Sequence, residues 1–209
     1  MIDCYEKLTI GKYDELMVIM DGDGTEYEKK VEVVALLNDM EIEDVEALPL
    51  VTYNTLLQST AFLYENPKKK MVADKYVLGG KEFELMMDMK KMTVSQYIDY
   101  QMFIKEVDKY TVELLSIFLI PKGCKYNDGY DIVEVQKIIR DNLCILDAKA
   151  MTDFFLLLFQ SLTKATLRCF KRRLMWMKMT TRNMEKRKKM EEAIANLESV
   201  GNGLQWWTE

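Results

Sequence analysis

The chain has 209 residues, with 29 Lys or Arg against 34 Asp or Glu, and a formal net charge of −5. It contains no His, which excludes every Ser-His and Cys-His nucleophile pair. Its four cysteines form no Cys-x-x-Cys pair, so we expect reduced, packed thiols and neither a zinc site nor a disulfide framework. No basic stretch followed by an apolar run opens the sequence, and we therefore expect no signal peptide.

Residues 1–66 are predicted to form an N-terminal helical region. Apolar residues at helical spacing predict helices over Tyr13–Met20, Glu26–Met40 and Tyr53–Tyr64. An acidic segment lies between the last two, and a Pro followed by three Lys indicates a solvated linker after the third.

The loop Asp21-Gly22-Asp23-Gly24-Thr25 permits two interpretations. An apolar run followed by Asp-x-Asp-Gly-Thr resembles the nucleophile loop of haloacid-dehalogenase-type phosphatases, in which the first Asp attacks phosphorus and the second acts as acid and base. Alternatively, Thr25 caps the next helix and Glu28 completes a capping box. No alternating strand–helix pattern follows, and we favour the interhelical loop. We expect no catalytic, cofactor or metal residues, and turn and cap roles explain Asp128 and Asp131.

Residues 67–146 are predicted to hold a β-hairpin and further helices. Alternating residues on both sides of Gly79-Gly80 predict a hairpin over about 75–88. A capping box from Thr93 to Gln96 opens one helix, and a second, from Tyr110 to Ile120, stops at a Pro. Asp131 and Glu134 are predicted to cap a third helix over 132–140.

Residues 147–209 form the third predicted region. No Gly or Pro occurs from Asp147 to Val200, which predicts one very long helix. Unbroken, it would measure roughly 80 Å, against a diameter of roughly 40–45 Å for a compact chain of this length. It must therefore bend, break or project, and weak helix formers at 180–183 favour a break there. We predict a mainly α fold with one small hairpin and this long C-terminal helix.

One face of the long helix is apolar. Its residues at helical spacing are Met151, Phe155, Leu158, Leu162, Ala165, Cys169 and Trp176. A helix with this pattern is buried, either in a core or in a subunit interface. Its longest apolar run is six residues, too short for a membrane span.

Charge is concentrated late in the chain. Residues 168–189 contain ten basic side chains and one acidic side chain, a balance of +9, so the remainder carries −14. This segment is predicted to face either an acidic neighbour or, as the alternative, DNA phosphates without sequence preference. Trp206 and Trp207 are predicted to dock in a neighbouring subunit, against the alternative that they fold back on their own helix. The predicted interaction residues are Arg168, Lys171, Arg172, Arg173, Lys178, Arg182, Lys186, Arg187, Lys188, Lys189, Trp206 and Trp207.

Three strings carry a family resemblance: Leu78-Gly79-Gly80-Lys81-Glu82-Phe83-Glu84-Leu85, Met92-Thr93-Val94-Ser95-Gln96-Tyr97-Ile98-Asp99-Tyr100 and Phe118-Leu119-Ile120-Pro121-Lys122-Gly123. They resemble small proteins of tailed bacteriophages, including crAss-like gut phages, that are encoded among head–tail connector and tail genes. The resemblance implies a non-enzymatic virion component, assembled in the host cytoplasm, that contacts copies of itself and other phage structural proteins, as in a connector or tail ring. Some of these proteins resemble tail assembly chaperones, so an assembly factor absent from the mature virion is the alternative. A nucleic-acid-binding protein that uses residues 168–189 is another.

Overall fold

In the computed structural model, which describes residues 1–107, 109–180 and 184–203, helices predominate and one small antiparallel sheet is present. The chain divides into two units, Met1–Thr152 and Asp153–Glu209. The predicted mainly α fold with a hairpin and a long late helix is confirmed. The three regions predicted from the sequence were defined by composition, whereas the two units are defined by contacts. The boundaries of the three regions therefore stay a prediction.

The helices follow one another along the chain, with short 3-10 turns between some of them. In order they are α1 (Ile10–Asp21), α2 (Glu26–Asn38), α3 (Ile42–Glu46), α4 (Leu50–Ser59), α5 (Val94–Phe103), α6 (Thr111–Phe118), α7 (Ile132–Asn142), α8 (Ile145–Thr180) and α9 (Met184–Gly203).

Both predicted capping boxes are present. The Thr25 hydroxyl accepts the Glu28 N–H at 3.3 Å, and the Glu28 carboxylate accepts the Thr25 N–H at 2.7 Å. Thr93 and Gln96 make the same reciprocal pair at 3.2 and 3.0 Å. These bonds satisfy N–H groups that have no partner within the helix, and they set the starts of α2 and α5.

The start of α7 is only partly as predicted. The Asp131 carboxylate caps it by accepting the Val133 N–H at 2.9 Å. Glu134 does not reach back to the cap. Its carboxylate instead pairs with Lys81 at 2.7 Å, which connects α7 to the hairpin.

The hairpin belongs to a sheet of three strands in the order β1-β2-β3. Its strands are β1 (Lys75–Leu78), β2 (Lys81–Leu85) and β3 (Leu119–Pro121). Gly79 and Gly80 have φ angles of 54° and 77°, the left-handed values that a two-residue hairpin turn requires. Two predicted boundaries differ from the structure. The helix expected to reach Ile120 ends at Phe118, because the next residues pair with β2, and the alternation expected to continue past Leu85 stops there.

The core of the first unit is largely aromatic and aliphatic. Phe83, Tyr100 and Phe118 are almost wholly buried, and the rings of Tyr100 and Phe118 meet edge to face with centroids 5.8 Å apart. Burial raises the pKa of the Tyr100 hydroxyl strongly. A second cluster, built on Val45 and Tyr53, joins α2, α3 and α4.

Two distant segments meet at the start of α8. The Ile10 N–H donates to the Leu143 carbonyl at 3.1 Å, and the Ile145 N–H donates to the Leu8 carbonyl at 2.8 Å. All four side chains are buried. This bridge ties the beginning of α1 to the first turn of α8.

The long helix is interrupted where the sequence predicts. α8 has 36 residues and ends at Thr180, and α9 begins at Met184. Of the residues 180–183 at which the break is predicted, 181–183 lie outside the described residues.

We predict that Gln96→Leu destabilises the protein more than a surface change of the same kind. Gln96 is 1% exposed, and its amide donates to the Ile117 carbonyl at 3.0 Å. Leucine would leave the buried Ile117 carbonyl without this donor, at a cost of about 1–3 kcal/mol, and it would also remove the side-chain acceptor of the more exposed Thr93 N–H.

The matched control is Gln58→Leu, because Gln58 is exposed on α4. We expect it to change the free energy of unfolding by less than about 0.5 kcal/mol. Urea unfolding of both variants measures the difference, and equal midpoints would contradict a structural role for the Gln96 amide.

Candidate interaction surface

The end of α8 and the start of α9 lie side by side in the second unit. Lys178 Nζ is 2.6 Å from Glu191 Oε1, and Arg187 Nε donates to the Lys178 carbonyl at 3.1 Å. Met175 and Ile194 line the same groove, of about 320 Å³. Earlier residues of α8 therefore face later residues of α9, as in an antiparallel helical hairpin.

The Lys178–Glu191 pair is an electrostatic contact between these two helices. The hydrogen bond from Lys178 lowers the pKa of the Glu191 carboxyl, and the nearby charges of Lys178, Arg187 and Lys188 act in the same direction. A carboxyl with a lowered pKa contributes stability above its unfolded-state pKa, and this contribution is lost as the pH falls through the folded-state value. The hairpin is therefore expected to loosen in acid.

The predicted apolar face of α8 changes its exposure along the helix. Met151 and Phe155 are fully buried, whereas Ala165, Cys169 and Trp176 are exposed. Leu158 is half-buried, and the Leu162 side chain lies outside the described part of the structure. An apolar helix face is explained by burial either in a core or in a subunit interface, and burial in a core explains the first part of this face. Among the described residues, no core covers the later part of this face.

Trp176 is the centre of the exposed part. Its side chain is 66% exposed, and that of Met179, three residues later on the same side of α8, is 79% exposed. Arg172 and Arg173 lie four and three residues before it, the spacing at which helical side chains are neighbours. We call these four residues the Trp176 patch.

The predicted basic residues fall into two groups. Lys178, Arg187 and Lys189 have partners within the hairpin, since Lys189 pairs with Glu185 at 3.2 Å, and Lys171 and Lys186 also have interaction partners. Arg168, Arg172, Arg173 and Lys188 are exposed, and none of them forms a salt bridge to another described residue. Arg182, Trp206 and Trp207 lie outside the described residues.

An acidic and apolar surface on the first unit is not identified by sequence analysis. Helix α3 buries only Val45, and the exposed carboxylates around it are Glu41, Glu43, Asp44 and Glu46. Ile42 is 43% exposed, and Leu50 and Val51, which begin α4, are 72% and 79% exposed. We call this surface the acidic edge. The acidic run is visible in the sequence, but the exposure of its apolar neighbours is not.

The aspartates of the phosphatase-like loop lie in the connection between α1 and α2. Asp21 ends α1, Asp23 follows it, and both are exposed. Thr25 is engaged in its capping box. Across the described residues, no group of three or more Cys, Asp or Glu side chains is placed to hold a metal ion.

Among the described helices, none combines the length with the low charge needed to cross a bilayer. No protein-family model matches the chain, and neither a curated protein nor a solved structure matches it.

We predict that the Glu191 carboxyl titrates below its usual range in the wild type and moves back toward it in Lys178→Met. The variant removes the hydrogen bond that lowers the pKa most. Carboxyl NMR across the acid range measures both values. Lys149→Met is the control, because Lys149 instead lies over the Tyr13 ring in the first unit. An unchanged Glu191 titration in Lys178→Met would show that the pair does not form in solution.

Proposed function

We propose that this chain is a non-enzymatic structural protein that works as a homo-oligomer in the head–tail connector or tail ring of a tailed phage. The observation that supports subunit contacts best is the Trp176 patch, in which a largely solvent-exposed indole ring is flanked by two arginines and a methionine. Trp, Met and Arg are among the residues that are enriched at protein interfaces.

The exposed indole gives this proposal an energetic basis. A Trp side chain can bury roughly 150–250 Å², and two thirds of that at about 25 cal/mol per Å² corresponds to about 3 kcal/mol on docking. Two flanking guanidinium groups add charge that can select an acidic partner. Other exposed apolar residues lie at helical spacing on α5, where Val94, Ile98 and Met102 are each more than half exposed. A protein with several such surfaces is suited to contact more than one neighbour.

The phage assignment is supported by the three strings of the sequence resemblance. They belong to β1 and β2, the start of α5, and β3, which lie together in the first unit. The proposed location is therefore the virion, with other phage structural proteins as further partners. Mass spectrometry of purified particles separates the alternatives. A stoichiometric amount in the particles supports a virion component. Presence in the producing cells together with absence from the particles supports an assembly chaperone.

Nucleic-acid binding is the second candidate, and the exposed Arg168, Arg172 and Arg173 favour it. Against it, residues 153–209 hold 11 basic and six acidic side chains, a balance of +5. Since the whole chain has a net charge of −5, residues 1–152 have a net charge of −10. That excess repels phosphates. DNA association that falls steeply with rising salt, and that Arg172→Gln with Arg173→Gln weakens, would favour this candidate.

We expect the wild type to self-associate in the micromolar range and Trp176→Ser with Met179→Ser to weaken this association. Loss of a central aromatic anchor typically costs about 2 kcal/mol or more, which corresponds to about 30-fold in Kd. Sedimentation velocity over a concentration series measures the change.

The control is Met71→Ser, because Met71 is 90% exposed but isolated in the linker before β1. It should associate like the wild type. A wild-type chain that stays monomeric up to about 100 µM, where even weak specific interfaces form, would contradict the proposed function.

A further inference from the structure

We propose that the Trp176 patch of one copy docks on the acidic edge of a second copy, in a head-to-tail contact. This inference rests on the proposed function and specifies the surface by which the oligomer forms. The two surfaces differ, so the contact is heterologous, and repeating it builds a ring or an open filament.

Charge is the first argument for this pairing. Four exposed carboxylates lie on α3 and at its N-cap, and within the described part of the chain none of them forms a salt bridge. Arg172 and Arg173 are likewise exposed without a described salt bridge. Both sets of charge are thus available to a partner of opposite sign, and planar guanidinium groups pair well with carboxylates.

Apolar surface is the second argument. Leu50 and Val51 protrude beside the carboxylates, while the core of the same region is made by Val45 and Tyr53. Leu50 and Val51 therefore do not belong to this core. They form an apolar surface next to negative charges, on which Trp176 can dock. The Trp176 patch is the complement, because its apolar residues lie next to positive charges.

The symmetric alternative is disfavoured by the same charges. Pairing the Trp176 patch with itself would bring the guanidinium groups of two copies together without a carboxylate between them. The exposed stripe on α5 is a weaker seat, because the carboxylate within it, Asp99, already accepts the Tyr126 hydroxyl at 2.7 Å. The acidic edge, by contrast with both, matches the Trp176 patch in charge and in apolar character.

The test uses two charge-reversed full-length chains and their mixture. The first carries Glu43→Lys and Glu46→Lys, and the second carries Arg172→Glu and Arg173→Glu. Each variant alone should associate about 100-fold more weakly than the wild type, since like charges face one another at the contact. An equimolar mixture should recover association to within about tenfold of the wild type, because opposite charges meet again at both kinds of junction.

The control for the first variant is Asp21→Lys with Asp23→Lys, an equal change of charge at exposed positions outside the acidic edge. It should associate like the wild type. Circular dichroism checks that each variant folds, and Leu50→Ser with Val51→Ser serves as a second acidic-edge variant because both residues are largely exposed. We expect it to weaken association without changing the melting temperature of the dilute monomer.

The outcomes separate this inference from the proposed function. Wild-type association that depends on Trp176 but is unaffected by the acidic-edge variants would overturn the inference and leave the proposed function standing. Failure of the mixture to associate, with both partners folded, would overturn the head-to-tail pairing. A monomeric wild type at all concentrations would overturn both.

Discussion

The bridge between residues 8–10 and 143–145 is the constraint on which the first unit depends. It closes a loop of about 135 residues, and the entropy of closing such a loop is about 4 kcal/mol by the logarithmic length rule. Burying Leu8, Ile10, Leu143 and Ile145 offsets this, at about 1.5–3 kcal/mol for each side chain. Burial is therefore the larger effect, and the two backbone hydrogen bonds add direction to it. Because Ile145 begins α8, the same bridge fixes where the long helix starts.

Sequence reasoning succeeded where a structure is set by neighbouring residues. The Thr25 and Thr93 capping boxes and the Gly79-Gly80 turn each depend on residues within a few positions of one another. The interruption of the long helix belongs to the same class, since residues with weak helix propensity cluster there. The closing bridge could not be predicted, because its two short segments carry no local signal that they pair with each other.

Two further differences arise from long-range contacts. The apolar run that ends α6 continues into β3, and only the presence of β2 beside it makes an extended conformation favourable at Leu119–Pro121. The acidic edge is a similar case. Leu50 and Val51 follow helical spacing as plausibly as the buried Tyr53 does, but only the folded chain shows which of them face water. For the same reason, the spacing of the α8 face indicates an apolar helix without showing that Trp176 is exposed.

The basic charges of the second unit are divided between holding the hairpin and selecting a partner. Lys178, Arg187 and Lys189 are engaged inside the hairpin, which reduces the repulsion that so many like charges would otherwise cause. Arg172 and Arg173 remain beside the exposed indole, where they add little to the stability of a single chain. In an assembly their effect is on specificity and rate, because they attract an acidic surface and reject a basic one, while the buried indole supplies most of the affinity. Removing the arginine charge should therefore reduce the selectivity for an acidic surface more than it reduces the affinity for an apolar one.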